Sequence, residues 1–293
     1  MHMIHRLALL LVLLPGLTFA GIAPAELPAN TRWYLHADLV EMRDSEVGRK
    51  LYGWLEKEVF SELREGLDLD LDKEIDRITL FSQGEEDAVL AIRGRFSEET
   101  RDKILALAER KTRVDEQEAD GRTYYRFREV DDTDLDGYFS FAVDGLLLLT
   151  SNTSAMERLL ANGGRIEQRE AAGGTLLVLT ADRDLMQAGI RADAPQGDSW
   201  ESQILKHTRE AALLIADRDG LAAIEAKVVA DDPAMAVSLA GIVGGLIGLQ
   251  AMAAEEESAI AELLGKTKVT VNEGILAVTA LVEPELIARL ISE

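Results

Sequence analysis

Two stretches of this chain repeat one another 144 residues apart, which restricts the fold to one that can be built twice. Leu35–Met42 reads LHADLVEM and Leu179–Met186 reads LTADRDLM, with the leucine, the Ala-Asp pair and the final methionine in common. Each copy follows a strand-like apolar run, WY in the first and TLLV in the second. Asp38 and Asp182 stand where a helix N-cap belongs, and Glu41 supplies the capping-box partner in the first copy.

The ends of the halves also match. Phe139–Thr150 reads FSFAVDGLLLLT and Val269–Thr279 reads VTVNEGILAVT; both are alternating strands joined at an acidic residue plus glycine, the mark of a tight hairpin. Each leads into a helical segment, SAMERLLANG and EPELIARLIS, with Pro284 near the start of the latter. The middles share a pattern. The first has strands at Arg77–Phe81 and Ala88–Phe96, then a helix opened by Ser97 with a following glutamate as box partner. The second has two apolar runs about an Asp-Gly turn in AALLIADRDGLAAIEAKVV, from Ala211, then a helix beginning near Asp232-Pro233. The expected order is strand, helix, two strands, helix, two strands, helix, twice over. Short turns between neighbouring strands specify an α+β fold, two tandem repeats of antiparallel strands with helices packed on one face. The expected boundaries are a signal peptide at 1–20, a first repeat at 21–164, a polar, glycine-rich linker at 165–174 and a second repeat at 175–293.

The opening MHMIHR followed by LALLLVLLPGLTFAG has the plan of a secretory signal, a basic start, a short apolar stretch and small residues. Cleavage is expected after Ala20, with Ala25 the secondary position. Leu7–Leu14 is too short to span a bilayer, which takes about 20 residues. The expected location is therefore periplasmic or secreted, with no integral span after cleavage. The chain has no cysteine, so no disulfide braces it, and a chain of this length can bury a core without one. The formal net charge of −22 repels phosphate backbones and argues against nucleic-acid binding. The one basic cluster, RTYYRFRE from Arg122, alternates like a strand whose arginines line its wet face.

A secretion signal, a strand ending in His36-Ala37-Asp38, a Gly66-Leu67-Asp68 segment before a strand and a duplicated α+β unit together resemble uncharacterised secreted bacterial envelope proteins. The resemblance implies the fold and an envelope location, and no activity.

Four features are candidate sites. In DLDLDKEID, Asp68, Asp70 and Asp72 have the spacing of the first three ligands of a calcium loop. The glycine that loop needs at position six is Lys73, and its bidentate glutamate at position twelve is Thr79. Leu69, Leu71 and Ile75 alternate with the acids, so the segment reads as a loop leading into a strand, and a weak cation site is the secondary reading. His36 and Asp38 lie two apart on a strand and share a face, where they could act as base and orienter or as two metal ligands. The matching position in the second half is Thr180, and the remaining histidine of the mature chain is His207. Gly265-Lys266-Thr267 spells the end of a phosphate loop, but Ile260 holds the place of its first glycine and the order runs from helix to strand. Gly265 reads instead as a helix C-cap.

The fourth is AMAVSLAGIVGGLIGLQAMAA, Ala234–Ala254, which carries no charge. Gly241 with Gly245 and Gly244 with Gly248 have the small-xxx-small spacing that lets helices approach closely. The repeat expects a core-facing helix here, and its glycines mark an interface for a partner, a second copy in a homo-oligomer, or an acyl chain. No catalytic set and no cofactor motif accompany these features. The preferred reading is a non-enzymatic exported envelope protein, a binding or interaction module for a protein or apolar ligand. The alternative is an envelope hydrolase or metal-dependent enzyme centred on His36 and Asp38.

Overall fold

The computed structural model describes residues 31–60, 71–82, 84, 87–129, 136–163, 174–183, 207–253 and 258–292. The expected signal peptide, Asp68, Asp70 and nearly all of the expected linker lie outside them. The described residues fall into two compact units, 31–40 with 52–163 and 41–51 with 174–292. Both mix helices with antiparallel strands.

In the first unit β1 (Trp33–Asp38), β2 (Ile75–Ser82), β3 (Val89–Gly94), β4 (Thr112–Ala119), β5 (Arg122–Glu129), β6 (Asp136–Val143) and β7 (Leu146–Thr150) lie in the order β1-β2-β3-β7-β6-β5-β4. In sequence β1 is followed by α1 (Leu39–Asp44) and α2 (Glu46–Leu55), of which residues 41–51 belong to the second unit, and a short helical turn, α3 (Leu71–Glu74), leads into β2. The longer α4 (Glu98–Lys111) separates β3 from β4, and α5 (Thr153–Ala161) follows β7.

Aromatic side chains build the core between the sheet and α4. Phe96, Phe139 and Leu147 are buried there with Ile104, Leu105, Phe127 and Phe141 packed against them, and Tyr125 stacks on Phe139 at 5.0 Å. α5 lies on the other face of the same sheet: the Tyr124 hydroxyl reaches Glu157 at 3.3 Å and Arg122 donates to the Leu160 carbonyl at 2.8 Å. Helices on one face only is therefore corrected for this unit. Tyr138, Phe139 and Ser140 on β6, and Leu146, Leu147 and Leu148 on β7, are buried at successive positions, so both faces need cover.

The second unit contains β8 (Thr175–Asp182), β9 (Thr208–Arg218), β10 (Leu221–Ala230), β11 (Lys268–Asn272) and β12 (Ile275–Val282), in the order β11-β12-β10-β9-β8. Its helices are α6 (Pro233–Ala253), α7 (Ala259–Gly265) and α8 (Pro284–Ser292). The β9-β10 and β11-β12 hairpins turn at Asp219-Gly220 and Glu273-Gly274, where all four residues have positive φ, the backbone a two-residue hairpin demands. β12 buries Leu276, Val278, Ala280 and Val282 on one face, while Ile275 and Leu281 on the other are 37% and 44% exposed.

Several local expectations change. The Ser97 cap is present, its hydroxyl accepting from the Thr100 amide at 3.1 Å, so the box position holds Thr100 rather than a glutamate. Gly265 ends α7 as a helical residue, and Lys266 is the C-cap. Asp72 and Glu74 fall in the turn α3, and the strand begins only at Ile75, so these two acids do not lie along a strand edge. The hairpin of β4 with β5 was not expected. β4 reads TRVDEQEA and is largely polar on both faces, as befits the outermost strand of its unit.

Candidate functional site

α6 is the longest helix among the described residues and the least enclosed. The Asp232 carboxylate accepts from the Met235 amide at 2.8 Å and starts it beside Pro233, a residue suited to the first helical turn. From there 21 residues follow without a charge. The helix packs against β10, β11, β12 and α7, yet only Ala236, Leu239 and Val243 are buried, a single stripe at spacings of three and four. Its most apolar window has a mean hydropathy of 1.8, and 17% of that window is buried.

Much of the rest of the circumference meets solvent with hydrocarbon, Ser238 and Gln250 being its exposed polar side chains. Val237 is 62% exposed, Leu249 65% and Met252 86%. A Cβ built at Gly241, Gly244, Gly245 or Gly248 would meet nothing within 4 Å, so all four glycines look outward. The core-facing helix expected here is thus core-facing at three positions. The small-xxx-small pairs are open to a neighbour.

This arrangement is unusual for a surface helix, which keeps one polar face. A helix apolar all round is normally enclosed, and an exposed apolar patch rimmed by charge marks an interaction site. Asp231 and Asp232 precede α6, and Glu255, Glu256 and Glu257 follow it in sequence.

The strand pair His36 and Asp38 is committed elsewhere. Residues directly opposite on antiparallel strands share a face, and β1 sets His36 against Thr79 and Asp38 against Arg77. Nδ1 of His36, which is 5% exposed, lies 2.8 Å from the Thr79 hydroxyl. Asp38 accepts from the Val40 amide at 3.1 Å as an N-cap and from Arg77 Nε at 2.8 Å. The spacing of two that joins imidazole and carboxylate on one face also gives each a cross-strand partner. His207 stands far along the chain, with Nδ1 3.7 Å from Asp231.

Among the described residues no group of three or more His, Asp or Glu side chains is placed to hold a metal ion. Asp72 is described in its backbone alone, and the remainder of the Asp68, Asp70 and Asp72 set lies outside the described residues. Where Arg126 and Arg128 converge on Asp136, hydrogen bonding to the two guanidinium groups holds that carboxyl below its ordinary range. The basic run from Arg122 is therefore partly neutralised within its own sheet.

Sequence reasoning missed Glu225. It lies inside β10 and is 2% exposed, and neither carboxylate oxygen has a hydrogen-bond partner. Lys227 Nζ lies 3.2 Å from Oε1 as its ion-pair partner. A glutamate inside the apolar run LAAIEAKVV was the available signal, since a buried charge is more informative than a buried leucine.

No family model matches the chain, and no curated protein matches it. Three crystal forms of TP0453 share its fold at 10% sequence identity. Form III aligns with a TM-score of 0.53 over 94% of this chain and 99% of that one. Form IV gives 0.51 and form I gives 0.50, each over 93% of this chain and 98% of the other. At that identity the likeness concerns the fold alone.

Proposed function

We propose that this is a non-enzymatic exported envelope protein, a duplicated α+β binding module that engages a partner through α6. The observation that carries this reading is a charge-free helix of 21 residues with all four of its glycines facing outward. The occupant is a partner protein's apolar helix, laid along Gly241, Gly244, Gly245 and Gly248. Glycine lets two helix backbones approach closely, whereas lipid tails gain nothing from a missing side chain. Acids before and after α6, on a chain of net charge −22, favour a partner helix flanked by Lys or Arg and disfavour a second copy. The repeated LHAD and LTAD segments and the matching hairpins support an origin by duplication.

The test uses a synthetic helical peptide of about 21 residues, rich in Gly, Ala and Leu with lysines at both ends, the length that matches α6 at about 1.5 Å per residue. The full chain should bind it, and Gly245→Leu should weaken binding at least about tenfold, roughly 1.4 kcal/mol. Replacing an exposed helical glycine raises helix propensity by close to 1 kcal/mol, so Gly245→Leu should melt no lower than the parent. Failure to bind the peptide, with partition into phosphatidylcholine vesicles or dimerisation in sedimentation equilibrium instead, overturns the reading.

A further inference from the structure

Glu225 occupies the centre of β10, directly opposite Leu214 of β9 and Thr279 of β12. Directly opposed residues share a face, so its neighbours there are Ala223 and Lys227 on its own strand, Ala212 and Ala216 on β9, and Ala277 and Leu281 on β12. Apart from Lys227 and the opposed Thr279, these are hydrocarbon side chains. The carboxylate among them is 2% exposed, and neither of its oxygens has a hydrogen-bond partner although Lys227 and Thr279 carry donors.

Among the described residues the charged groups on that face of the strands are few, and of the helices packed on β10, α6 carries no charge and α8 carries Glu285 and Arg289. β10 contributes Lys227, and β9 contributes Arg218, opposite Leu221. β12 presents none beside Glu225, and Lys268 of β11 lies next to Thr279. Glu210, paired with both Val229 and Asp182, brings two acids onto the face farther along the strands. Lys227 and Arg218 act on Glu225 as attracting charges, and burial outweighs both, holding its carboxyl above the ordinary glutamate range.

We propose that Glu225, with Lys227 as its counter-charge, is a proton-operated clasp within the second unit: the carboxylate takes up one proton from solvent and the β9-β10-β12 sheet tightens, and release of that proton loosens it. The chemistry is a single proton transfer with no other reactant. A neutral carboxyl needs no counter-ion and tolerates an apolar surrounding, whereas the ionised group loses its hydration there with the Lys227 ammonium beside it.

The sign follows from linkage. A carboxyl whose folded-state pKa lies above its unfolded value leaves the native state holding more protons between those two values. Stability therefore rises as pH falls through that window, and the gain is complete below the unfolded value, about 4.3. The lowered carboxyls Asp136, Glu262 and Glu285 work in the opposite sense, but their contribution is fully present above the unfolded value. Between pH 8 and pH 5 those carboxyls stay ionised in both states, and the difference between the parent and Glu225→Gln separates Glu225 from the imidazoles that titrate in the same window.

The experiment compares thermal melts of the full chain with Glu225→Gln and Lys227→Met at pH 8 and pH 5, with hydrogen exchange of β9, β10 and β12 to localise the change. Glu225→Gln keeps the shape and removes the charge. It should melt about 2–4 °C above the parent at pH 8, with the difference shrinking towards zero at pH 5. Lys227→Met should melt lower than the parent at pH 8 and recover at pH 5. Exchange in β9, β10 and β12 of the parent, corrected for intrinsic rates, should slow on acidification and should not do so in Glu225→Gln. If Glu225→Gln melts below the parent at pH 8, or if its difference from the parent is the same at both pH values, the clasp does not exist.

Discussion

Asp38 ends β1 and begins α1 with one side chain. Oδ1 accepts from the Val40 amide at 3.1 Å, and Oδ2 accepts from Arg77 Nε at 2.8 Å. A lost N-cap costs about 1 kcal/mol, and a pair with a half-exposed arginine adds well under that. Asp38→Ala should therefore lower stability by about 1–2 kcal/mol in urea denaturation. Asp38→Asn, which keeps a cap acceptor, should lose less than half as much. The capping role was legible because H-A-D before a helical run names its cap. The contacts to Thr79 and Arg77 were not, since they depend on which residues of β2 face β1 across 39 and more positions of sequence. The same holds for Glu225, visible as a charge in an apolar strand, whose lack of donors is a property of the two strands beside it.

At the scale of elements, turn chemistry carried the reading furthest. Asp219-Gly220 and Glu273-Gly274 announce hairpins because few other pairs adopt positive φ at both positions, and both strands of each were expected at or near their places. Asp120-Gly121 has the same backbone and gives the same signal, but β4 lacks an apolar alternation and so escaped notice. α6 shows a different limit. Its composition fixed a long helix without charge, while its exposure depends on how little of β10, β11, β12 and α7 it covers. That placement predicts an asymmetry between two leucines of one helix. Leu239, 2% exposed, should cost about 2–5 kcal/mol when replaced by alanine, and Leu249, 65% exposed, no more than about 0.5 kcal/mol. Equal losses in the two melting curves would mean that α6 is enclosed along its length.

For the whole molecule, the α+β class and the antiparallel pairing were legible in period-two runs joined by acid-glycine turns. The division into units was not, because residues 41–51 group with the second half of the chain although they precede the rest of the first. Sequence order cannot show which surface a pair of helices finds. The fold shared with TP0453 at 10% identity likewise rests on pattern and packing, with little agreement of letters. The chain carries a large net negative charge and, among the described residues, a long helix with none, and the central claim is that this helix is a docking surface for a partner helix. The absence of cysteine allows that to be measured directly. Gly245→Cys and Leu239→Cys, each the sole thiol of its variant, are labelled with a maleimide in the presence and absence of the lysine-flanked peptide. The account predicts fast labelling at Gly245→Cys, slowed about tenfold or more by saturating peptide, and slow labelling at Leu239→Cys throughout. Slow labelling of Gly245→Cys in the free protein, or a rate that the peptide leaves unchanged, would contradict it.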